Sequence, residues 1–152
     1  MIEAHDASYG GEFEDTLPAI ATALVVVILD DNDDERGFLQ EALKMHDYIV
    51  FAARTGRELL AALDRMPPPS LVLLPLRMPK VSGLDIIHVM RTDPQLAATP
   101  VILMTTSTCP ISYEAVHVLQ EPFEVDRLLA LVGEMATPRR HGDPRSAARS
   151  AR

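Results

Sequence analysis

The feature that most constrains this chain is a run of branched apolar residues that ends abruptly at a loop. Residues 71–74 are continuously apolar, and Pro75, Pro79 and Gly83 follow them. The run predicts a buried central strand, because a strand covered on both faces shows no polar alternation. In an open parallel sheet, ligands and chemistry lie at the carboxyl ends of such strands. Pro75 occupies that position.

Four further segments have the pattern of strands, and helical segments separate them. The strand patterns fall at residues 24–29, 48–52, 100–104 and 115–119. The helical patterns fall at about residues 34–45, 55–66, 82–91 and 125–135, and the first of these has Asp33 or Asp34 as its expected N-cap. Strands that alternate with helices form a parallel sheet covered on both faces. The sequence therefore predicts an α/β fold with a doubly wound, parallel, five-stranded sheet.

Length, composition and charge limit the class of protein. A chain of 152 residues, 47% hydrophobic and 5% aromatic, suits one compact domain with an aliphatic core. We expect a cytoplasmic protein without membrane association, because no apolar run approaches the ~20 residues that span a bilayer and the start is acidic. The net charge of −8 argues against nucleic-acid binding by the folded domain, since phosphate contacts supply most of that affinity.

The two ends of the chain differ from its middle in charge. Residues 1–22 contain five acidic residues and no Lys or Arg, whereas residues 139–152 contain five Arg and one Asp. Both ends are poor in large apolar residues, which favours flexible segments over packed ones. We therefore predict a flexible acidic extension at 1–22, a folded domain at 23–137 and a flexible Arg-rich tail at 138–152.

The segment at residues 71–83 resembles the third strand and following loop of bacterial two-component receiver domains. The pattern of that family is a hydrophobic run, an aspartate, and then Met-Pro and Gly, and Met78, Pro79 and Gly83 match it. The resemblance implies the flavodoxin-like strand order 2-1-3-4-5. Pro75 stands where the family has its phosphate-accepting aspartate. Because proline has no carboxylate to form an acyl phosphate, the defining reaction of the family cannot occur there.

Three other positions match the family across the resemblance, which spans about residues 24–134. Asp30 and Asp31 fall on the acidic pair that holds a divalent cation, and Thr105 falls on the hydroxyl residue that meets the phosphoryl group. Two alternatives stay open for the acidic pair, and two for Thr105. The acidic pair either retains weak Mg²⁺ binding or consists of two solvated acids, and Thr105 is either a phosphate contact or a hydrogen-bonding residue at a strand end. We expect no other cofactor.

Two further positions depart from the family. Glu121 stands where the family has the Lys that neutralises the phosphoryl group, and Val118 stands where it has the aromatic residue that reorients. The three carboxylates of Asp30, Asp31 and Glu121 would repel one another in one cleft unless a cation or a proton intervenes. Together with Pro75, these departures indicate a degenerate receiver that does not run the phosphorylation cycle.

The connection that follows Thr105 is several residues shorter than the family's and contains Pro110. The helix that the resemblance places between the fourth and fifth strands is therefore expected to be shortened or missing. Its loss would uncover apolar surface of those strands, with Ile102, Val116 and Val118 as candidates. Exposed apolar patches of this kind mark interfaces.

These features predict a phosphorylation-independent regulatory module that acts through protein–protein interaction in signal transduction. The expected partner is a kinase, a regulator or a second copy of the chain, in a homodimer or a hetero-complex. The alternative is a small-molecule or cation sensor that uses the degenerate cleft around Pro75, Thr105 and Glu121. An enzyme is the least supported class, since no nucleophile with its base and no acid–base pair can be assembled from the sequence.

Overall fold

The computed structural model of the protein describes residues 23–106 and 115–136. These residues form strands that alternate with helices. The strands are β1 (Val25–Leu29), β2 (Ile49–Ala53), β3 (Leu71–Pro75), β4 (Val101–Thr105) and β5 (Val116–Gln120), and the helices are α1 (Asp33–Lys44), α2 (Gly56–Arg65), α3 (Gly83–Thr92) and α4 (Val125–Met135). The predicted acidic extension at 1–22 and the Arg-rich tail at 138–152 lie outside the described residues.

The five strands form one parallel sheet with the order β2-β1-β3-β4-β5. This order confirms the predicted doubly wound sheet, and the predicted strand positions are displaced by one residue at most. β3 is the central strand, and the side chains of residues 71–74 are fully buried. Helices cover both of its faces, which explains why its apolar run is continuous rather than alternating.

Alternate residues of each strand point into two apolar cores on opposite faces of the sheet. The first core lies under α1 and α4, with Leu39 and Leu128 among its buried residues. The second core lies under α2 and α3, with Leu59 and Ile86 among its buried residues. None of the helices within residues 23–106 and 115–136 is long and apolar enough to cross a membrane.

Side-chain caps fix where the first three helices begin. Asn32 is the N-cap of α1, and its side-chain oxygen accepts a hydrogen bond of 2.8 Å from the N–H of Glu35. The expectation that Asp33 or Asp34 caps this helix is therefore wrong by one or two residues. Asn32 has the extended backbone of an N-cap, whereas Asp33 is already helical. Thr55 caps α2, and Ser82 forms a capping box at the start of α3.

The expectation that Ile102 is uncovered is wrong. Its side chain is fully buried in the first core, because successive residues of β4 point to opposite faces and Ile102 faces α1 and α4. Val116 and Val118 are half-buried and pack against the second core. Residues 106–115 connect β4 to β5. The predicted shortened helix itself falls on residues 107–114, outside the described part of the chain.

Candidate functional site

The carboxyl ends of β1, β3 and β4 meet at one edge of the sheet. The strand register pairs Ile28 with Leu73 and Pro75 with Met104. Continuing the first of these registers by two residues places Asp30 beside Pro75. Pro75 therefore lies between the acidic residue that follows β1 and the end of β4.

The Asp30 carboxyl group is buried, with 4% of the residue exposed, and one of its two oxygen atoms has no hydrogen-bond partner among the described residues. Its Oδ1 atom accepts a hydrogen bond of 3.0 Å from the N–H of Asn32, whereas Oδ2 is buried with no partner among the described residues. The pKa of Asp30 is raised to about 6, mainly by burial and further by the charges of Glu35 and Asp31, whereas the hydrogen bond from the Asn32 N–H opposes the rise. Asp30 thus gains a proton about two pH units above an ordinary aspartate.

Glu35 and Glu121 bring two more carboxyl groups to the same edge. Glu35 lies in the first turn of α1, and the backbone N–H of Glu121 donates a hydrogen bond of 2.7 Å to the carbonyl of Thr105. Burial raises the pKa of Glu35, and the charge of Glu121, a hydrogen bond between the two side chains and the charge of Asp31 raise it further. The side chains of Glu35 and Glu121 therefore lie close together at this edge of the sheet.

The sequence interpretation placed Glu121 in a cleft with Asp30 and Asp31 but did not include Glu35. The charge contacts link all four residues, since Glu35 acts on the pKa of Asp30 and Glu121 acts on that of Glu35. A signal for Glu35 was present in the sequence. Acidic residues in the first turn of the helix after β1 lie at the carboxyl edge of the sheet, because that helix starts there.

The nearby arginines are engaged with groups other than these carboxylates. Arg36 donates hydrogen bonds of 2.6 Å to Asp33 and 2.8 Å to the backbone carbonyl of Asp30. Arg54 lies 3.1 Å from the same Asp33 oxygen. The hydrogen bond from Arg36 and the charge of Arg54 hold the pKa of Asp33 below its ordinary value. The charge of Arg36 also lowers the pKa of Asp30, but less than burial raises it.

Two further predicted site residues lie on the last two strands, Thr105 at the end of β4 and Val118 within β5. Thr105 is buried at the end of β4, where its carbonyl receives the hydrogen bond from Glu121. Val118 is half-buried and packs against the second core as an aliphatic side chain of β5. The roles that the resemblance implied for these two positions stay predictions.

The described residues do not fit the divalent cation that the family resemblance implies. Within residues 23–106 and 115–136, no three His, Cys, Asp or Glu side chains are arranged to hold a metal ion. Pro75 supplies no carboxylate, and Oδ1 of Asp30 already accepts a backbone hydrogen bond. Mg²⁺ demands near-octahedral coordination by oxygen atoms. Weak binding by Asp30 and Asp31 stays a prediction.

The family model described as the response regulator receiver domain matches this sequence over residues 26–132. The chain belongs to the receiver domain family. The match covers β2 to β5, all but the first residue of β1 and most of α4, so the receiver fold accounts for nearly all of the described residues. A receiver domain is a regulatory module of signal transduction.

Three curated relatives show how this receiver domain recurs in different proteins. Response regulator Rcp1 of Synechocystis sp. is 30% identical over 91 residues, covering 55% of this chain and 62% of Rcp1. DivK of Brucella ovis, a polar-differentiation response regulator, is 31% identical over 80 residues, covering 53% and 64%. A probable cyclic di-GMP phosphodiesterase of Vibrio cholerae is 34% identical over 85 residues, covering 56% of this chain but 19% of that protein. Each match thus spans less than two thirds of the relative.

Solved structures of receiver domains superpose on this one. The chemotaxis response regulator CheY4 of Vibrio cholerae is 26% identical with a TM-score of 0.70, covering 75% of this chain and 99% of CheY4. A response regulator receiver protein of Pseudomonas putida is 27% identical with a TM-score of 0.68, covering 74% and 97%. These receivers consist almost entirely of the shared fold, which confirms the predicted fold class.

The buried Asp30 carboxyl group predicts that stability falls as the pH rises from about 4 to about 6. Its pKa is about 6 in the folded protein against an ordinary value of 3.8, so the folded state binds the proton more tightly than the unfolded chain. The raised pKa of Glu35 also makes stability fall as the pH rises. The lowered pKa of Asp33 has the opposite effect, and it does so below the ordinary pKa of an aspartate. Urea unfolding across this range should show a shallower fall for Asp30→Asn than for the natural protein.

The matched control for this measurement is Asp31→Asn, which removes the same charge from an exposed neighbour. We expect it to leave most of the pH dependence in place, because the buried carboxyl group of Asp30 remains in this variant. Equal slopes for the two variants would mean that burial of Asp30 does not govern the pH response.

Proposed function

We propose that this receiver domain is a phosphorylation-independent regulatory module that binds a protein partner in cytoplasmic signal transduction. The observation that carries the proposal is the proline at the end of β3, beside Asp30. Acyl phosphate formation requires a carboxylate that attacks phosphorus, and Pro75 offers none. The proposal assigns the domain no catalytic activity.

The charge around Pro75 supports this proposal independently. A phosphoryl group adds about −1.5 to −2 charges, and it needs a nearby cation or hydrogen-bond donors. Here the position that would supply the cation is Glu121, whose carboxyl group lies against that of Glu35. Like charges raise one another's pKa and oppose a further anion. A phosphate carried by a neighbouring residue would therefore also meet a carboxyl group at the position where the family has its cation.

A domain of this kind regulates by occupying a surface of its partner. The proposed partner is a kinase, another regulator or a second copy of this chain, in a hetero-complex or a homodimer. The partner then supplies the output, and its activity changes when this domain binds or leaves.

Incubation with acetyl phosphate and Mg²⁺ tests the proposal. We expect intact-mass spectrometry to show no phosphate adduct on the full chain, because the acceptor carboxylate is absent. A receiver domain that carries aspartate at this position serves as the positive control under the same conditions. A stoichiometric, acid-stable and base-labile adduct of one phosphate would refute phosphorylation independence.

A second function is a sensor in which the degenerate cleft binds a small molecule. The observation that favours it is the buried Oδ2 atom of Asp30, which has no hydrogen-bond partner among the described residues. An amine or hydroxyl group of a ligand would satisfy this oxygen better than a bare cation, since the described residues offer no set of three metal ligands. Thermal-shift screening with metabolites and with Mg²⁺ separates the two functions, because a ligand that binds the folded state raises its melting temperature.

The control for this screen is Asp30→Asn, which removes the charge of the unsatisfied carboxyl group. A ligand that stabilises the natural protein but not Asp30→Asn would support the sensor. A shift that survives the substitution would place the ligand elsewhere.

A further inference from the structure

One side of the sheet ends in β2, and no strand among the described residues pairs with its outer side. Two hydrogen bonds define which backbone groups of β2 face inward. The N–H of Ile49 donates to the carbonyl of Leu24 at 3.0 Å, and the N–H of Asp30 donates to the carbonyl of Ala53 at 3.1 Å. The backbone N–H and C=O groups of successive residues alternate in direction along a strand. The backbone groups of Ile49, Phe51 and Ala53 therefore all point toward β1.

The backbone groups of Val50 and Ala52 therefore point away from the sheet. The open stretch ends on both sides, because the N–H of Tyr48 donates to the carbonyl of Leu43 and the N–H of Arg54 donates to the carboxyl group of Glu58. β2 thus offers two N–H and two C=O groups that are directed outward. Such an edge is a template for another extended chain.

The side chains of this edge are apolar and exposed. β2 contains no charged residue and no proline, which are the usual devices that protect an edge strand from pairing. Phe51 is 48% exposed and Ile49 is 36% exposed. On α1, which packs against β2, Phe38 and the C-cap residue Met45 are also exposed. Two of the five exposed large apolar side chains of the described residues therefore lie on β2 itself, and two more lie on or at the end of the helix that packs against it.

We propose that β2 pairs in antiparallel fashion with β2 of a second copy of this chain, about a two-fold axis at Phe51. The two five-stranded sheets then form one continuous sheet. Val50 lies opposite Ala52 of the second copy, and their outward N–H and C=O groups exchange hydrogen bonds. The two-fold axis repeats this exchange, so the outward groups of Val50 and Ala52 in both copies are satisfied.

The side chains in this register complement one another across the two-fold axis. Large residues lie opposite small ones, with Ile49 facing Ala53 and Val50 facing Ala52, and the two Phe51 rings meet at the centre. Aromatic and aliphatic cross-strand pairs of this kind stabilise a sheet. The pairing is isologous, so one edge supplies both halves of the interface.

Charge also favours a second copy as the occupant of this edge. No charged residue lies within β2, so the self-pairing brings no like charges together. One place beyond the strand, the uncharged Tyr48 lies opposite Arg54 of the second copy, so like charges do not meet there either. An unrelated peptide would need an uncharged strand of its own to pair here, whereas a second copy presents the same uncharged strand by symmetry.

Light scattering on the full chain at high micromolar concentration tests the interface. We expect a dimer for the natural protein, and we expect Phe51→Lys to raise the dissociation constant at least about tenfold, because two cations then meet on the axis. The matched control is Val89→Lys, which replaces an apolar side chain of similar exposure, 44%, on α3. Val89→Lys should remain dimeric.

Cysteine cross-linking tests the register without destabilising charges. Cys109 is the single cysteine of the chain, so each variant is made in a Cys109→Ser background. Phe51→Cys should form a disulfide dimer under mild oxidation, because residues opposite each other without shared hydrogen bonds bring their Cβ atoms within disulfide range. Ile49→Cys should not, since its counterpart lies about 13 Å away along the strand.

These measurements decide the proposal together. A dimer that Phe51→Lys disrupts, or a disulfide at Phe51→Cys and none at Ile49→Cys if Phe51→Lys does not fold, supports it. A natural protein that is monomeric at high micromolar concentration, a dimer that resists Phe51→Lys, or equal cross-linking at both cysteine positions would overturn it.

Discussion

Pro75→Asp will fail to accept phosphate from acetyl phosphate, whereas Pro75→Asp combined with Glu121→Lys will accept it. The single change adds a carboxylate beside Asp30 and leaves the carboxyl pair of Glu35 and Glu121 in place. A further anionic group is then disfavoured. The second change replaces one member of that pair by a cation, which pairs with Glu35 and stands near the phosphoryl oxygens. Intact-mass spectrometry after incubation with Mg²⁺ measures the difference.

Two further variants separate the contributions. Glu121→Lys by itself should accept no phosphate, since position 75 still has no carboxylate. Pro75→Asp combined with Glu121→Gln removes the repulsion without adding a cation, so it should react more slowly than the lysine variant. Equal reaction of Pro75→Asp and of its combination with Glu121→Lys would mean that Glu121 does not face the cleft.

Gly83→Ala will lower the free energy of unfolding by roughly 1–3 kcal/mol, which is a large fraction of the stability of a domain of this size. A Cβ atom at this position would overlap the carbonyl oxygen of Pro75 and would lie 2.7 Å from Leu103 Cδ1 and 2.9 Å from Leu74 Cδ1. The N–H of Gly83 also donates to the carbonyl of Leu76 at 2.7 Å. The start of α3 is thus packed against β3 so closely that only glycine fits, and urea unfolding measures the loss.

The matched control is Gly37→Ala in the interior of α1, where a Cβ atom would meet nothing within 4 Å. Alanine has the higher helix propensity, so we expect this variant to be stabilised by about 0.5–1 kcal/mol. If both substitutions had the same small effect, the close packing of α3 against the carboxyl end of β3 would be contradicted. That packing holds the loop after Pro75 in place, so Gly83→Ala should also disturb the candidate site.

The identity of the site at Pro75 follows from sequence, whereas its electrostatic state does not. The motif that continues with Met78, Pro79 and Gly83 sufficed to predict both the family and the missing acceptor. Asp30 and Asp31 were found in the same way, because they directly follow an apolar strand run. The sequence did not predict the pairing of Glu35 with Glu121, since the two residues lie 86 positions apart in the chain and no local pattern relates them.

The sequence by itself determined which segments are strands and helices, because the period of apolar residues is a local property that burial on one or two faces imposes. It also determined that position 75 carries no nucleophile. Only the tertiary structure decided which face each strand residue occupies, and so Ile102 proved to be buried in the first core. The burial of Asp30 and the outward backbone groups of β2 were decided there too. These properties depend on which strands are neighbours and in what register, and distances between residues far apart in the chain set them.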